Sequence, residues 1–263
     1  MLASLLFVSG LVQATPSAPT EGDRKLVFAD EFDKGETPDP SAWTYETGNL
    51  RNEEQQYYTG GRKNNGWVAD GHLVLQARRE CWDHWDYTSS SLVLNRPLKN
   101  ARVEIRAQFP SGRGLASTLW LLGSDYPKKP FPDCGGVSIE HAGRTPDELG
   151  FVLNTTAFNY YKDNALTEGV TFPNLTDGFH TYVIDFAPVV VTVSVDGELQ
   201  LEFKKDAKNP EAWPFDNPMT LRMSLAVGGA LGGNEGEGKD YHKGVDITVF
   251  PGQMKVDYVR VYE

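Results

Sequence analysis

The sequence predicts an all-β fold, two antiparallel sheets packed face to face, and three observations carry that expectation. Helical periodicity is scarce between residues 23 and 263. Short segments rich in Val, Ile, Leu, Thr and aromatics recur between Gly, Pro, Asn and Asp punctuation. The stretch "VVVTVSVDGELQLEF" (189–203) reads as a hairpin, with Asp196-Gly197 supplying the positive-φ turn between alternating strands. Alternating strands without intervening helices bury their apolar faces by stacking two sheets.

The remaining strands follow in order. "HLVLQARR" (72–79), "ARVEIRAQF" (101–109) and "STLWLLG" (117–123) come first, then "LGFVLNTTAF" (149–158) and "FHTYVIDFA" (179–187). "MTLRMSLAVGG" (219–229) and "KVDYVRVYE" (255–263) complete the set. Between them "CGGVSIEHAG" (134–143) alternates, so Gly136, Ser138 and Glu140 share one face while Val137 and Ile139 share the other. The links 124–134 and 230–250 have loop composition and belong at the rims. A chain of 263 residues, 40% hydrophobic, can bury one sizeable core, so residues 23–263 are expected as a single domain.

The formal charge is -11, with both signs scattered and no basic block, which argues against a nucleic-acid or anionic-membrane partner. An acidic surface with 11% aromatic residues suits a neutral ligand such as a polysaccharide. Residues 1–18 read as a secretory signal: an apolar run from Leu2 to Val12, then small residues at Ala14, Ser17 and Ala18, although no Lys or Arg precedes the run. A secreted, extracellular or periplasmic location follows. No other apolar run reaches the roughly 20 residues of a membrane span. Cys81 and Cys134 could pair in an oxidising compartment, and their spacing leaves that open.

Ten motifs in order now carry a resemblance. They are "FADEF" (28–32), "NEEQQYYT" (52–59), "GHLVLQARRE" (71–80), "YTSS" (87–90), "GRGLASTLWLLG" (112–123), "PDCGGVSIEHAG" (132–143), "NTTAFN" (154–159), "FHTYVIDFAP" (179–188), "MSLAVGG" (223–229) and "KVDYVRVYE" (255–263). Together they resemble family 16 glycoside hydrolases, the laminarinases, lichenases and agarases. The resemblance implies a β-jelly-roll sandwich with a concave glycan cleft. It also implies a catalytic strand of the form Glu-x-Asp-x-Glu: nucleophile, helper and general acid/base.

Laid on that pattern, Gly136 takes the nucleophile position, Ser138 the helper position and Glu140 the acid/base. Retaining hydrolysis needs two carboxyls roughly 5–5.5 Å apart, and glycine cannot attack an anomeric carbon. Without a nucleophile's charge nearby, Glu140 is expected to lack the repulsion that lifts an acid's pKa. An inverting route needs a second carboxylate roughly 6.5–9.5 Å away. Asp133 falls on the other face by parity, while Asp147 and Glu148 lie in a turn.

Other cleft motifs are also eroded. Ala116-Ser117-Thr118 stands where relatives carry an indole platform, and Ser89-Ser90-Ser91 where they carry a cleft cation. Asn154 replaces a His and Phe131 a Trp.

By the same resemblance Asn52, Glu54, Tyr58, Phe131, His141 and Asn154 are candidate sugar contacts. Trp82 and Trp85, on an acidic loop, are candidate stacking platforms. Trp120 reads as core from its apolar neighbours and as a cleft residue from the family pattern. Glu31 and Asp257 match positions that hold a structural calcium in relatives; the chemistry itself requires no cofactor.

Three readings stay open: a β-glucan-binding protein with lost or reduced hydrolysis, an active endo-β-1,3(4)-glucan hydrolase using Glu140 with an unidentified second carboxylate, and a structural cell-surface module.

Overall fold

The computed structural model describes residues 24–130, 134–143, 152–157, 166–171, 175–208, 213–233 and 244–263, with backbone alone for 152–157 and 166–171. In chain order the first strands are β1 (Leu26–Asp30), β2 (Trp43–Tyr45), β3 (Thr47–Gly48), β4 (Gln56–Thr59), β5 (Gly66–Ala69) and β6 (His72–Trp82). Next come β7 (Trp85–Ser89), β8 (Ser91–Leu94), β9 (Arg102–Gln108), β10 (Leu115–Gly123), β11 (Gly136–Ala142) and β12 (Val152–Ala157). The last are β13 (Leu166–Thr171), β14 (His180–Phe186), β15 (Val190–Val195), β16 (Glu198–Lys204), β17 (Met219–Val227) and β18 (Gly252–Tyr262).

These strands build two main sheets. The larger runs β16-β15-β14-β9-β18-β6-β7-β4-β3, with β1 added on β18 and β5 on β6. The smaller runs β11-β10-β17-β8-β2, and β12 and β13 form a separate pair. Neighbours pair antiparallel except β4 with β7, which run parallel. The expected hairpin is present: β15 and β16 turn at Asp196 and Gly197, with φ of 51° and 82°. Both central residues in the left-handed region match the turn that follows strand twist.

The core lies between the sheets, where alternate residues meet. Leu73 and Leu75 of β6, Val103 and Ile105 of β9, and Val259 and Val261 of β18 face Leu119 and Leu121 of β10 and Leu221 and Met223 of β17. Each such side chain contributes about 1.5–3 kcal/mol on leaving water. β17 is the informative strand, because all nine of its residues are buried or nearly so. Met219, Leu221, Met223, Leu225 and Val227 belong to the core, so by parity Thr220, Arg222, Ser224 and Ala226 lie on the far face. A second layer therefore covers that face.

Part of that layer is the segment 49–56. Gln55 N–H donates to Val227 O and Gln56 Oε1 accepts from Val227 N–H, both fixing the segment to the end of β17. The following turn, Gly229–Gly232, comes close enough that a Cβ on Gly229 would stand 2.6 Å from Asn52 O. Its φ of 71° adds a second reason for glycine there.

Among the described residues no helix is long and apolar enough to cross a membrane. Cys81 is exposed, Cys134 is buried, and both are free. The segment read as a signal lies outside the described residues.

Candidate functional site

Antiparallel register arranges the outer face of the smaller sheet into rows. Ser138 of β11, Trp120 of β10, Arg222 of β17 and Val93 of β8 form one row. Glu140, Thr118, Ser224 and Ser91 form the next. Gly136 pairs with Leu122 on one side of these rows, and Ala142 with Ala116 on the other. Residues directly opposite in such a sheet share a face, so the pairing alone brings Gly136, Ser138, Trp120 and Glu140 to one floor.

That floor opens into a cleft of about 360 Å³ whose walls include Arg51, Asn52, Tyr126 and Leu231. Among the described residues Glu140 is the sole carboxylate lining it. Ser138 Oγ donates to Glu140 Oε1 at 2.7 Å. Burial pushes the Glu140 carboxyl up to about 7; the Ser138 hydroxyl opposes the rise and the nearby charge of Glu54 adds to it. The carboxyl is therefore raised without a nucleophile's charge beside it. Desolvation does most of what a nucleophile's charge would have done.

Glu54 is the second carboxylate in the neighbourhood, but it does not face the cleft. It is 7% exposed and accepts from Gln56 Nε2 at 2.7 Å, Tyr58 Oη at 3.1 Å and Asn52 Nδ2 at 3.2 Å. Burial raises its pKa against the pull of Arg51 and these donors. Its oxygens are occupied, so it tunes Glu140 from behind the wall.

The expected loss of the cleft cation is also corrected. Ser91 does stand on the floor, but its hydroxyl donates to Glu46 Oε2 at 2.6 Å, and that carboxylate gathers two guanidiniums. Arg51 Nη2 donates to Glu46 Oε2 at 2.5 Å and Arg222 Nη1 to Oε1 at 2.5 Å. Arg51 lies 4.9 Å from the Trp120 ring centre and 5.6 Å from that of Tyr58; Arg222 lies 4.8 Å from that of Tyr126. Burial pushes Glu46 up, but Arg51, Arg222 and Ser91 outweigh it and hold the carboxyl below the usual range. Positive charge has entered the wall from segments that the motifs did not mark.

The other expected residues divide. Asn52 and Trp120 line the cleft, while Tyr58 is fully buried beneath Arg51. His141 is on the opposite face: it is 3% exposed and stacks on Phe109 at 5.7 Å, which stacks on Tyr182 at 4.9 Å. As a sugar contact it is corrected to a core residue. Burial lowers its pKa to about 4, so the ring packs neutral.

Trp82 and Trp85 pair across the β6–β7 hairpin. Trp82 is 37% exposed with the Arg62 guanidinium 4.9 Å from its ring. Trp85 lines a separate hollow with Glu53, Gln55 and His84. Neither reaches the cleft lining. Phe131, Asp133, Asp147, Glu148 and the Asn154 side chain lie outside the described residues.

Glu31 and Asp257 do not fit a cation. Arg260 holds both oxygens of Glu31, at 2.8 and 2.9 Å, and Arg106 holds Asp257. Among the described residues no cluster of three or more His, Cys, Asp or Glu side chains gathers to hold a metal ion.

The molecule is thus a two-sheet sandwich with an acid on the floor of a cleft on one outer face, and the comparisons assign that scaffold to the glycosidases. The model of glycosyl hydrolases family 16 matches residues 52–260, and the chain belongs to that family. A β-glucanase of Rhodothermus marinus is 39% identical over 254 residues, covering 90% of this chain and 85% of that protein. The X-ray structure of the laminarinase from Rhodothermus marinus superposes with a TM-score of 0.79 at 38% identity, covering 91% of this chain and 97% of that one. A Glu-to-Ser variant of SCLam, a non-specific endo-β-1,3(4)-glucanase, gives a TM-score of 0.79 at 31% identity over 94% of this chain and 96% of that one. It was co-crystallised with 1,3-β-D-cellotriosyl-glucose and presents 1,3-β-D-cellobiosyl-glucose at its active site.

Proposed function

We propose that this family 16 protein is secreted and binds β-glucan in its cleft, with hydrolysis lost or strongly reduced. The observation that carries the reading is the lining itself: Gly136 at the nucleophile register, and Glu140 as the sole acid among the described residues there. Trp120 and the aliphatic Leu122 and Leu231 offer apolar faces to sugar rings, while Asn52, Ser138 and Glu140 offer hydrogen bonds. A relative that exchanged Glu for Ser still presents an oligosaccharide, which supports binding without a full set of carboxylates.

Laminarin tests this directly. Retardation in a laminarin gel, with no increase in reducing ends over the blank, is the expected pair of results. Turnover that disappears in Glu140→Gln would return the protein to the hydrolases. Were turnover found, Glu54 would be the second carboxylate to test, and Glu54→Gln should then abolish it as well. A chain that passes unretarded through the polysaccharides tested would instead be a structural module.

A further inference from the structure

The rows of the outer face set where the cleft stops. Among the described residues its floor belongs to β10 and β11: Leu122 with Gly136, then Trp120 with Ser138, then Glu140. Two continuations of that floor are covered. Toward β17 the register partners are Thr220, Arg222 and Ser224, which are 9, 7 and 3% exposed. Along the strands, one row beyond Glu140, stand Ala142, Ala116 and Ala226, none more than 5% exposed.

Both covers are fixed pieces of the fold. On β17 the cover includes the Arg222 guanidinium, held by Glu46 at 2.5 Å, with Arg51 on the same carboxylate and 4.9 Å from the Trp120 ring centre. Over the alanines it is Leu231, packed against that cluster. The two covers meet at a corner, where Ala230 N–H donates to Asn52 O at 2.9 Å and the backbone of Glu54 pairs with that of Gly228. Asn52, Ala230 and Leu231 line the cleft, so this corner faces the ligand.

A polymer that threads a groove needs both ends of one axis open. Across the strands, the β17 end is shut. Along the strands, the end beyond Glu140 is shut. Either axis leaves one exit, past β11 at the border of its sheet or over Tyr126 and Pro130, which follow Leu122 in the chain. Resting on the reading of a cleft that holds β-glucan, we propose that it seats the end of a glucan chain and excludes the middle.

The terminal ring lies on Trp120 between Ser138 and Glu140, and the rest of the glucan leaves by the open side. An interior unit carries a sugar at two positions, and one of those neighbours would have to occupy the space of Arg222 or Leu231. A terminal unit has a hydroxyl there instead, and Asn52 and Glu140 on the lining supply hydrogen-bond partners for it. Selection against the interior of the polymer is thus a clash built into the walls.

Calorimetry on the wild-type chain tests this with laminarihexaose, a soluble linear β-1,3-glucan several times longer, and a cyclic β-1,3-1,6-glucan, which has no end. Both linear glucans should bind one protein per chain, with Kd values per chain within about threefold. The ring should bind at least about a hundredfold more weakly, and the same ring opened by brief acid hydrolysis should recover the difference.

Several proteins on each long chain would overturn the proposal, as would a ring that binds within about threefold of its opened form. Retention in laminarin gels is measured in parallel. A protein that is retained but takes ring and opened ring alike refutes this inference alone, whereas one that is not retained and binds none of these glucans refutes the binding reading with it.

Discussion

Glu140 and His141 are consecutive residues of one strand, and burial moves their proton affinities in opposite senses. The carboxyl rises to about 7 and the imidazole falls to about 4. Each is driven to its uncharged form chiefly by loss of water, so the leading cause is the same on both faces. What differs is access. Glu140 lines the cleft, whereas His141 lies between Phe109 and the sandwich interior. A neutral group becomes a reagent only where a ligand can reach it; elsewhere the same shift is a packing device.

The largest way to break the comparison is to expose the charges that the cleft wall conceals. Glu46→Ala leaves the Arg51 and Arg222 guanidiniums buried without their carboxylate, 8% exposed each as side chains. Loss of one partner from a buried pair costs about 3–5 kcal/mol, and urea unfolding should show a fall of that size together with loss of laminarin retention.

Proton linkage separates the two faces next. Glu140 has its pKa raised on folding, so its contribution is fully present below pH 4.5 and is lost as pH rises through about 7. Glu140→Gln should remove a decline on the order of 3 kcal/mol across that window. His141 has its pKa lowered, so its contribution is present above pH 6.5 and is lost as pH falls through about 4. His141→Phe, which keeps the ring stack, should flatten an acid limb of similar size and leave retention in laminarin unchanged. Unfolding midpoints measured from pH 4 to 8 on both variants check the two signs together.

The smallest effects sharpen the border of the cleft. Trp120→Ala removes the indole from the floor and should weaken glucan affinity by about tenfold, roughly 1.4 kcal/mol, by calorimetry. Trp82→Ala, on the exposed hairpin, should change stability by less than about 0.5 kcal/mol and affinity by less than that.

The parity of "GVSIEHA" contained most of this result. Gly136, Ser138 and Glu140 were readable as one face, and the same count puts Val137, Ile139 and His141 on the other. Placing His141 at the sugar followed the family pattern against the count, and the count was right. Trp120 illustrates the converse error. Its neighbours Leu119 and Leu121 are core, but in a strand neighbours point away from each other, so they argue for the cleft.

The Glu46–Arg51–Arg222 cluster was not legible, because its members come from three segments as many as 176 residues apart. Arg222 alone gave a local signal, as a charge within an otherwise buried strand. Nothing in the order of residues names the partner of such a charge.

One carboxylate serving two arginines from different parts of the chain also has a consequence for descent. Either arginine can be exchanged with Glu46 still paired to the other, but Glu46 cannot change before both without leaving two buried guanidiniums unpaired, so lineages altering this wall must change it in that order. That corner of the groove should drift slowly, while the positions beside it are free to diversify.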